Sequence, residues 1–527
     1  MNGNTKLAGI LGSGMVIQRD EPFKIWGSDE GVNEVTILFE DKEYNGEVKD
    51  GKFCIELPSH EAATGLKITV KGSSVIELDD ICFGDVFMLS GQSNMELPVG
   101  RTLDKTQEEV DASDYPYIRQ YRLTPQYRLD ESKEAELLDL KWTKAVKDEI
   151  LEMSATGFFT AKEIYDKIKV PIGLVLNAQG GSTLEAWMPR DLLSKYQDQN
   201  ALIDKFMEDN SLQKFLDDIT QSIIAWRNSI TEEGSEQRAQ KIPDDCREVV
   251  MPQVMLEKDG NGFTGSKWLY KTVDIDVEPT ADSFLYVGEL IDADQTYING
   301  KLVGRTEYCY PPRKYPFDGS ILKKGENLIA VRLEVNDQNG GFLKDHPYYL
   351  RTGGKKFDIE GTWYESIEIE TVTPCPRVIM GQTIPTALYT ASIKPILNLQ
   401  LKGMWWYQGE SNAEFPDNEN IRPGTLGPDV RRSYDVLFKE MIGRLRSDFG
   451  QKLPLVIVQM PDYVNPVTGL GEGWLKIQEM QKAAPSMVPD CKVALAKDLG
   501  EPYDLHPQRK SELGKRMAKE VIDLIYN

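Results

Sequence analysis

The chain holds three histidines, His60, His346 and His506, in 527 residues. Any mechanism that uses an imidazole as a base must choose among them, and a multi-histidine metal site would need nearly all of them from distant parts of the chain. His506 stands in Asp504-Leu505-His506-Pro507. Pro507 limits its backbone freedom, and an acid two residues earlier on an extended segment points to the same side, where it would orient the ring and stabilise its protonated form. His60 lies among Ser and Glu and is expected to be exposed. His346 is far in sequence from the other candidates. The serine candidate is Ser93, in Leu89-Ser90-Gly91-Gln92-Ser93-Asn94-Met95. A serine just past a parallel strand sits where α/β folds place their sites, and Gly91 would permit the tight turn. A helix N-cap is the plainer role for it. Gln179-Gly180-Gly181-Ser182-Thr183 would expose backbone N–H groups suited to an oxyanion, or be an ordinary turn. Trp406-Tyr407-Gln408-Gly409-Glu410-Ser411-Asn412 offers amide side chains, or a purely structural turn. Nucleophile, oxyanion donors and base occur in order along the chain, and acyl transfer to water needs all three.

Each of these motifs follows a strand-like run. Val86-Phe87-Met88-Leu89 precedes Ser93, the apolar stretch 170–176 precedes the glycine pair, and Met404-Trp405-Trp406-Tyr407 leads into the third motif. Between them, Ala161, Ile164, Tyr165 and Ile168 recur at helical spacing, and so do Leu216, Ile219, Ile223, Trp226 and Ile230. Later, Phe438, Ile442, Leu445 and Phe449 form another stripe, and Leu513, Met517, Val521 and Leu524 a terminal one. Apolar strands alternating with amphipathic helices predict an α/β domain with a parallel sheet. Residues 1–78 read instead as a small β domain, with β-branched alternation in Val35-Thr36-Ile37-Leu38-Phe39. Residues 235–374 return to that β grammar, with Thr296-Tyr297-Ile298 running into the hairpin dipeptide Asn299-Gly300. The chain therefore divides into a β domain (1–78), an α/β domain in two parts (79–234 and 375–527) and an inserted β domain (235–374).

The 61 Lys and Arg against 84 Asp and Glu leave a net charge of −23, which disfavours nucleic acids and anionic membranes as partners. No run approaches the roughly 20 apolar residues of a membrane span, and the N-terminus lacks the charged and apolar blocks of a secretion signal, so a cytoplasmic location is expected. The six cysteines are scattered without CxxC spacing, so neither a zinc ribbon nor a dithiol redox motif is present; with three dispersed histidines they make a poor transition-metal site, and no metal and no cofactor are expected.

The four motifs, in this order, resemble the SGNH hydrolase superfamily, and within it the carbohydrate O-acetylesterase group that includes sialate O-acetylesterases. Gly14-Met15-Val16-Ile17-Gln18, Trp268, Asn299-Gly300 and Gly340-Gly341-Phe342 extend the resemblance over nearly the whole chain. It implies a flavodoxin-like three-layer α/β hydrolase domain, split by an inserted jelly-roll β-sandwich and preceded by a small β-sandwich. It implies Ser93 as nucleophile and His506 as base. The oxyanion hole would use the Ser93 and Gly181 N–H groups plus a side-chain amide, from Gln408 or Asn412. Many members carry the triad acid three residues before the histidine, where this chain has Tyr503. The acid is therefore Asp504 in shifted geometry, Asp498, Glu410 or a backbone carbonyl. The implied function is deacetylation of acetylated sugars; the resemblance permits both plant glycans and sialic acid, and the acidic chain tilts the expectation towards neutral plant glycans (xyloglucan, xylan, mannan). The alternatives are a sialate 9-O-acetylesterase, a lipase-type hydrolase, or a non-catalytic carbohydrate-binding protein with a decayed esterase core. Trp187, Trp405, Trp406 and Tyr407 are candidates to stack on a sugar, with core packing as the plainer role, and Arg101 and Arg190 are candidates to meet an anionic one.

Overall fold

The computed structural model describes residues 4–124, 127–130, 141–207, 211–255, 262–309, 311–338, 340–344, 346–376, 378, 380–413, 433–464, 471–501 and 504–527. The site is organised by one long strand, Val75–Gly91. Its first half reads Val-Ile-Glu-Leu-Asp-Asp, alternates between exposed and covered, and pairs antiparallel with Ala63–Lys71. Its second half is fully buried, and Asp85–Gly91 pairs parallel with Ile172–Ala178. The strand thus leaves a half-solvated β layer and enters the middle of a sheet covered on both faces, as the change from alternating to continuous apolar residues requires. It passes straight through the expected boundary at residues 78 and 79.

The central sheet runs in the order Thr143–Val146, Asp114–Arg122, Ile172–Ala178, Val75–Gly91, Gly403–Tyr407, Leu455–Val458 and Cys491–Ala494. All neighbours are parallel except the Thr143–Val146 edge strand. Alternate residues face opposite layers. Phe87, Leu89, Trp405 and Tyr407 pack with helices Ala155–Ile168 and Lys510–Ile525. Val86, Met88, Met404 and Trp406 pack with helix Tyr434–Phe449 and with Ile477 of helix Glu472–Met487. Strands from residues 75–178 and 403–494 therefore share one sheet, although residues 247–370 separate them as an antiparallel β region with its own core.

That region has a six-stranded sheet and a four-stranded sheet, Lys314–Phe317, Ser283–Val287, Tyr348–Thr352 and Lys355–Asp358. The Asn299-Gly300 turn joins Ala293–Ile298 to Lys301–Thr306, with both turn residues at positive φ, +47° and +75°. Asparagine and glycine tolerate that conformation best, and it matches the twist of a two-residue hairpin. The region is fastened to the α/β part through Asp104 of helix Leu103–Asp111, which accepts from Tyr286 Oη at 2.8 Å and faces Lys314 Nζ at 2.9 Å. Among the described residues, no helix is long and apolar enough to cross a membrane.

Candidate active site

Ser93, Gly180, Gly181 and Gln408 all follow the C-terminal ends of neighbouring parallel strands, the edge where open α/β sheets hold their ligands. Gly91 makes the first turn possible. Its φ is +126°, and a Cβ there would lie 2.1 Å from the Tyr407 carbonyl oxygen. The Gln92 N–H donates to that same carbonyl at 2.9 Å. The Gln92 side chain accepts from the Gly409 and Ser411 N–H groups, which locks the first and third motifs together. The chain then turns into the short helix Ser93–Glu96, whose N-cap is Gln92. Ser93 is therefore not a cap, and its hydroxyl is turned to the imidazole: Oγ lies 2.8 Å from His506 Nε2.

His506 reaches this point from the loop before helix Lys510–Ile525. Its pKa is held down at about 3, first by burial and then by the positive charges of Lys510 and Arg101. The ring is thus neutral at ordinary pH, the form a general base must have. Asp504 Oδ1 accepts the His506 backbone N–H at 2.7 Å, so the acid holds the loop through its main chain. Burial raises the Asp504 pKa, against the His506 N–H, Lys510 and Arg101. Tyr503 lies outside the described residues. Asp498 is excluded as the orienting acid: it is largely exposed, lies 2.6 Å from Arg516, and is held at a pKa of about 2 by that hydrogen bond. Glu410 is buried and engaged with Asn94, whose Nδ2 donates to Glu410 Oε1 at 2.7 Å and to the Leu505 carbonyl at 2.9 Å. Lys510 Nζ donates to Asn94 Oδ1 at 2.5 Å, and burial lowers its pKa to about 8. Asn94 thus joins the serine turn, the Glu410 turn and the histidine loop. No motif assigns a role to Asn94 or Lys510. Their positions, one after Ser93 and four after His506, are the signal the sequence offers.

The glycine pair lies against the serine. A Cβ at Gly180 would be 3.4 Å from Ser93 Cβ. The Gly180 N–H is spent on Glu96 Oε2 at 2.7 Å. Gly181 has φ +73°, with the Met380 methyl 2.4 Å from where a Cβ would stand. Gln408 is corrected as an oxyanion donor. Its Nε2 gives its hydrogens to Ser182 O at 3.1 Å and Asn412 Oδ1 at 2.7 Å, and its Oε1 accepts from Tyr434 Oη. Asn412 is likewise committed, donating to Glu185 and accepting from the Leu184 N–H. Both amides brace the turns. The amide beside the glycine pair is Gln382, which donates to Gly180 O at 2.8 Å and accepts from Tyr127 Oη at 2.6 Å. It sits some 200 residues from the Gly-Gly motif, in no recognised pattern.

The aromatic walls are also corrected. Trp187, Trp405, Trp406 and Tyr407 are at most 1% exposed, so none presents a ring to a sugar. Trp187 instead donates to Ser182 Oγ and meets Trp406 edge-on at 6.0 Å. Arg190 pairs with Asp204, whereas Arg101 acts on both His506 and Asp504. His60 is half-buried against Phe83, its ring 4.6 Å away.

A family model described as carbohydrate esterase, sialic acid-specific acetylesterase, matches residues 83–216 and 381–523, just over half of the chain. Sialate O-acetylesterase of Pongo abelii is 31% identical over 117 residues, 21% of this chain and 22% of that protein. The Homo sapiens protein of the same name matches equally. The match spans only about a fifth of the length of these curated relatives. The crystal structure of a carbohydrate acetylesterase from Xanthomonas citri shares the fold, with a TM-score of 0.58 at 19% identity over 99% of this chain and 76% of that one. With more than half of its length under the family model and the Ser93 and His506 motifs inside the matched segments, the chain belongs to the carbohydrate esterase family of sialic acid-specific acetylesterases.

Proposed function

We propose that this protein is a serine-dependent carbohydrate O-acetylesterase, built as an SGNH-type hydrolase domain interrupted by a jelly-roll-like insert. The observation that carries the reading is the 2.8 Å contact between Ser93 Oγ and a buried, neutral His506 Nε2 at the C-terminal edge of a parallel sheet. Ser93 Oγ attacks the acetyl carbonyl carbon while its proton passes to His506 Nε2. The developing oxyanion is met by the Ser93 and Gly181 backbone N–H groups. The position of the preceding Gly180 against Ser93 supports that assignment. As the tetrahedral intermediate collapses, His506 returns the proton to the leaving sugar oxygen. Water, deprotonated by the same ring, then attacks the acetyl-enzyme and releases acetate and the free serine. Asp504 and Asn94 keep the loop and the serine turn in register throughout.

The substrate proposed first is a neutral O-acetylated glycan or oligosaccharide of the xyloglucan, xylan or mannan type. The net charge of −23 and the pairing of Arg190 with Asp204 support it. A second reading, an O-acetylated sialic acid, is favoured by the positive charge of Arg101 beside His506 and by the names of the curated relatives. Mass spectrometry of a panel of acetylated plant oligosaccharides and 9-O-acetylated sialic acid, before and after incubation, decides between them. Acetyl loss from no member of the panel by the wild type would overturn the esterase reading.

A further inference from the structure

The seam between the antiparallel region and the histidine loop gathers a second group of chemistry-bearing side chains. Glu289 follows strand Ser283–Val287, His346 precedes strand Tyr348–Thr352, and Asp504 belongs to the histidine loop. One ligand atom from each of the three lies within 4.8 Å of the others. Glu289 Oε2 and His346 Nε2 are 3.7 Å apart, with side chains only 3% and 6% exposed. Asp504 is 4% exposed. Two donors held about 2.1 Å from one ion span roughly this separation at an open angle, as in carboxylate and imidazole ligation.

We propose that Glu289, His346 and Asp504 bind one divalent first-row cation such as Zn²⁺, tying the antiparallel region to the loop that carries His506. Two carboxylates withdrawn from water repel each other and are costly unless paired. A divalent ion balances both charges and leaves the imidazole neutral, its ligating form. One nitrogen and two oxygen donors suit Zn²⁺ or Mn²⁺ better than softer ions. Glu501 stands nearby as a third acid. Its pKa is raised by burial and by Asp504, with Lys105 and His346 acting the other way. Among the described residues its buried Oε1 has no hydrogen-bond partner. Lys105 on Glu501, and Arg101 and Lys510 on Asp504, act electrostatically rather than as ligands. The Ser93–His506 chemistry does not pass through the ion, which meets the histidine loop only through Asp504.

The test uses full-length protein stripped of metal and titrated with Zn²⁺ and with Mn²⁺ by calorimetry near neutral pH. The wild type should take up one ion per chain. His346→Ala and Glu289→Gln should each weaken uptake by at least about 10–100-fold, the range seen when a metal site loses a supporting group. Added Zn²⁺ should raise the thermal midpoint of the wild type and not that of the variants. X-ray absorption of the Zn²⁺-loaded wild type should show nitrogen and oxygen ligands with a single imidazole, and this readout decides alone if a variant fails to fold. No uptake by the wild type, uptake unchanged in both variants, or a sulfur or multi-imidazole shell would each overturn the proposal. Loss of stability in the variants with no metal uptake by the wild type would overturn it too, leaving His346 as a packing partner of the two acids.

Discussion

At the scale of single residues, the proposed reaction rests on the contact between Ser93 and His506, and their neighbours set its pH range. Ser93→Ala should lower kcat by at least about 10³, the scale of loss when other serine hydrolases are deprived of a triad member. Circular dichroism should stay unchanged, because only a hydroxyl is removed. Retention of a tenth of the wild-type rate would rule out Ser93 as the nucleophile. The pH profile is a second test. Burial, Lys510 and Arg101 all disfavour the imidazolium, so the folded pKa lies below the ordinary 6.5, at about 3. Activity needs the neutral ring. The acid limb of kcat/KM should therefore lie well below pH 6.5, and Arg101→Met, by deleting one opposing charge, should move it upward. A wild-type limb at or above 6.5 would contradict the buried, charge-opposed setting. Asp504 offers a third comparison. Its carboxylate holds the His506 main chain, and asparagine can still accept that N–H. Asp504→Asn should thus keep more activity than Asp504→Ala, while Asp498→Asn, paired away with Arg516, should leave kcat unchanged.

At the scale of elements, the parallel strands place Ser93, the glycine pair and Gln408 at one edge, where the loop before helix Lys510–Ile525 brings His506, and the strand-end turns must be tight. Gly91 is the strictest point: left-handed backbone coincides with a Tyr407 carbonyl 2.1 Å from the missing Cβ. That oxygen belongs to a paired strand and cannot swing away as a side chain would. Gly91→Ala should cost at least about 1–3 kcal/mol from backbone strain alone. It should also displace Ser93, so both the denaturation midpoint and kcat should fall. An alanine variant with wild-type stability would show that the turn relaxes more easily than its geometry implies.

At the scale of the whole molecule, the antiparallel region is tied by side-chain contacts to the segment that carries His506. Tyr286 and Lys314 hold Asp104, which also accepts from Gln508, two residues after His506. Replacing residues 235–374 by a short flexible linker should reduce kcat/KM on para-nitrophenyl acetate as well as on glycans, because the histidine loop loses a support. Loss on glycans alone would confine the region to shaping the substrate cleft. The milder Tyr286→Phe removes a single hydrogen bond to the ionised Asp104 and should cost about 1.5–3 kcal/mol.

Much of this is legible in the chain itself. Strand runs that end in Ser-Gly-Gln-Ser, Gln-Gly-Gly-Ser and Tyr-Gln-Gly-Glu announce turns at one sheet edge, because continuous apolar segments must be buried and the polar residues after them cannot be. Asn299-Gly300 announces its hairpin because its two residues tolerate positive φ. Local chemistry decides such features. The partners of the side chains are another matter. Gln408 and Asn412 have the composition of oxyanion donors, yet the Ser182 carbonyl and Glu185 claim their hydrogens. Trp187 and Trp406 resemble sugar platforms until helix packing covers them. Gln382 beside Gly180, Lys510 on Asn94, and Glu289 and His346 against Asp504 come from segments with no shared sequence pattern. Composition and spacing constrain what a residue is able to donate or accept. Only the packed chain, in which each hydrogen bond has one geometry and each buried charge must find a partner, decides to whom it does so.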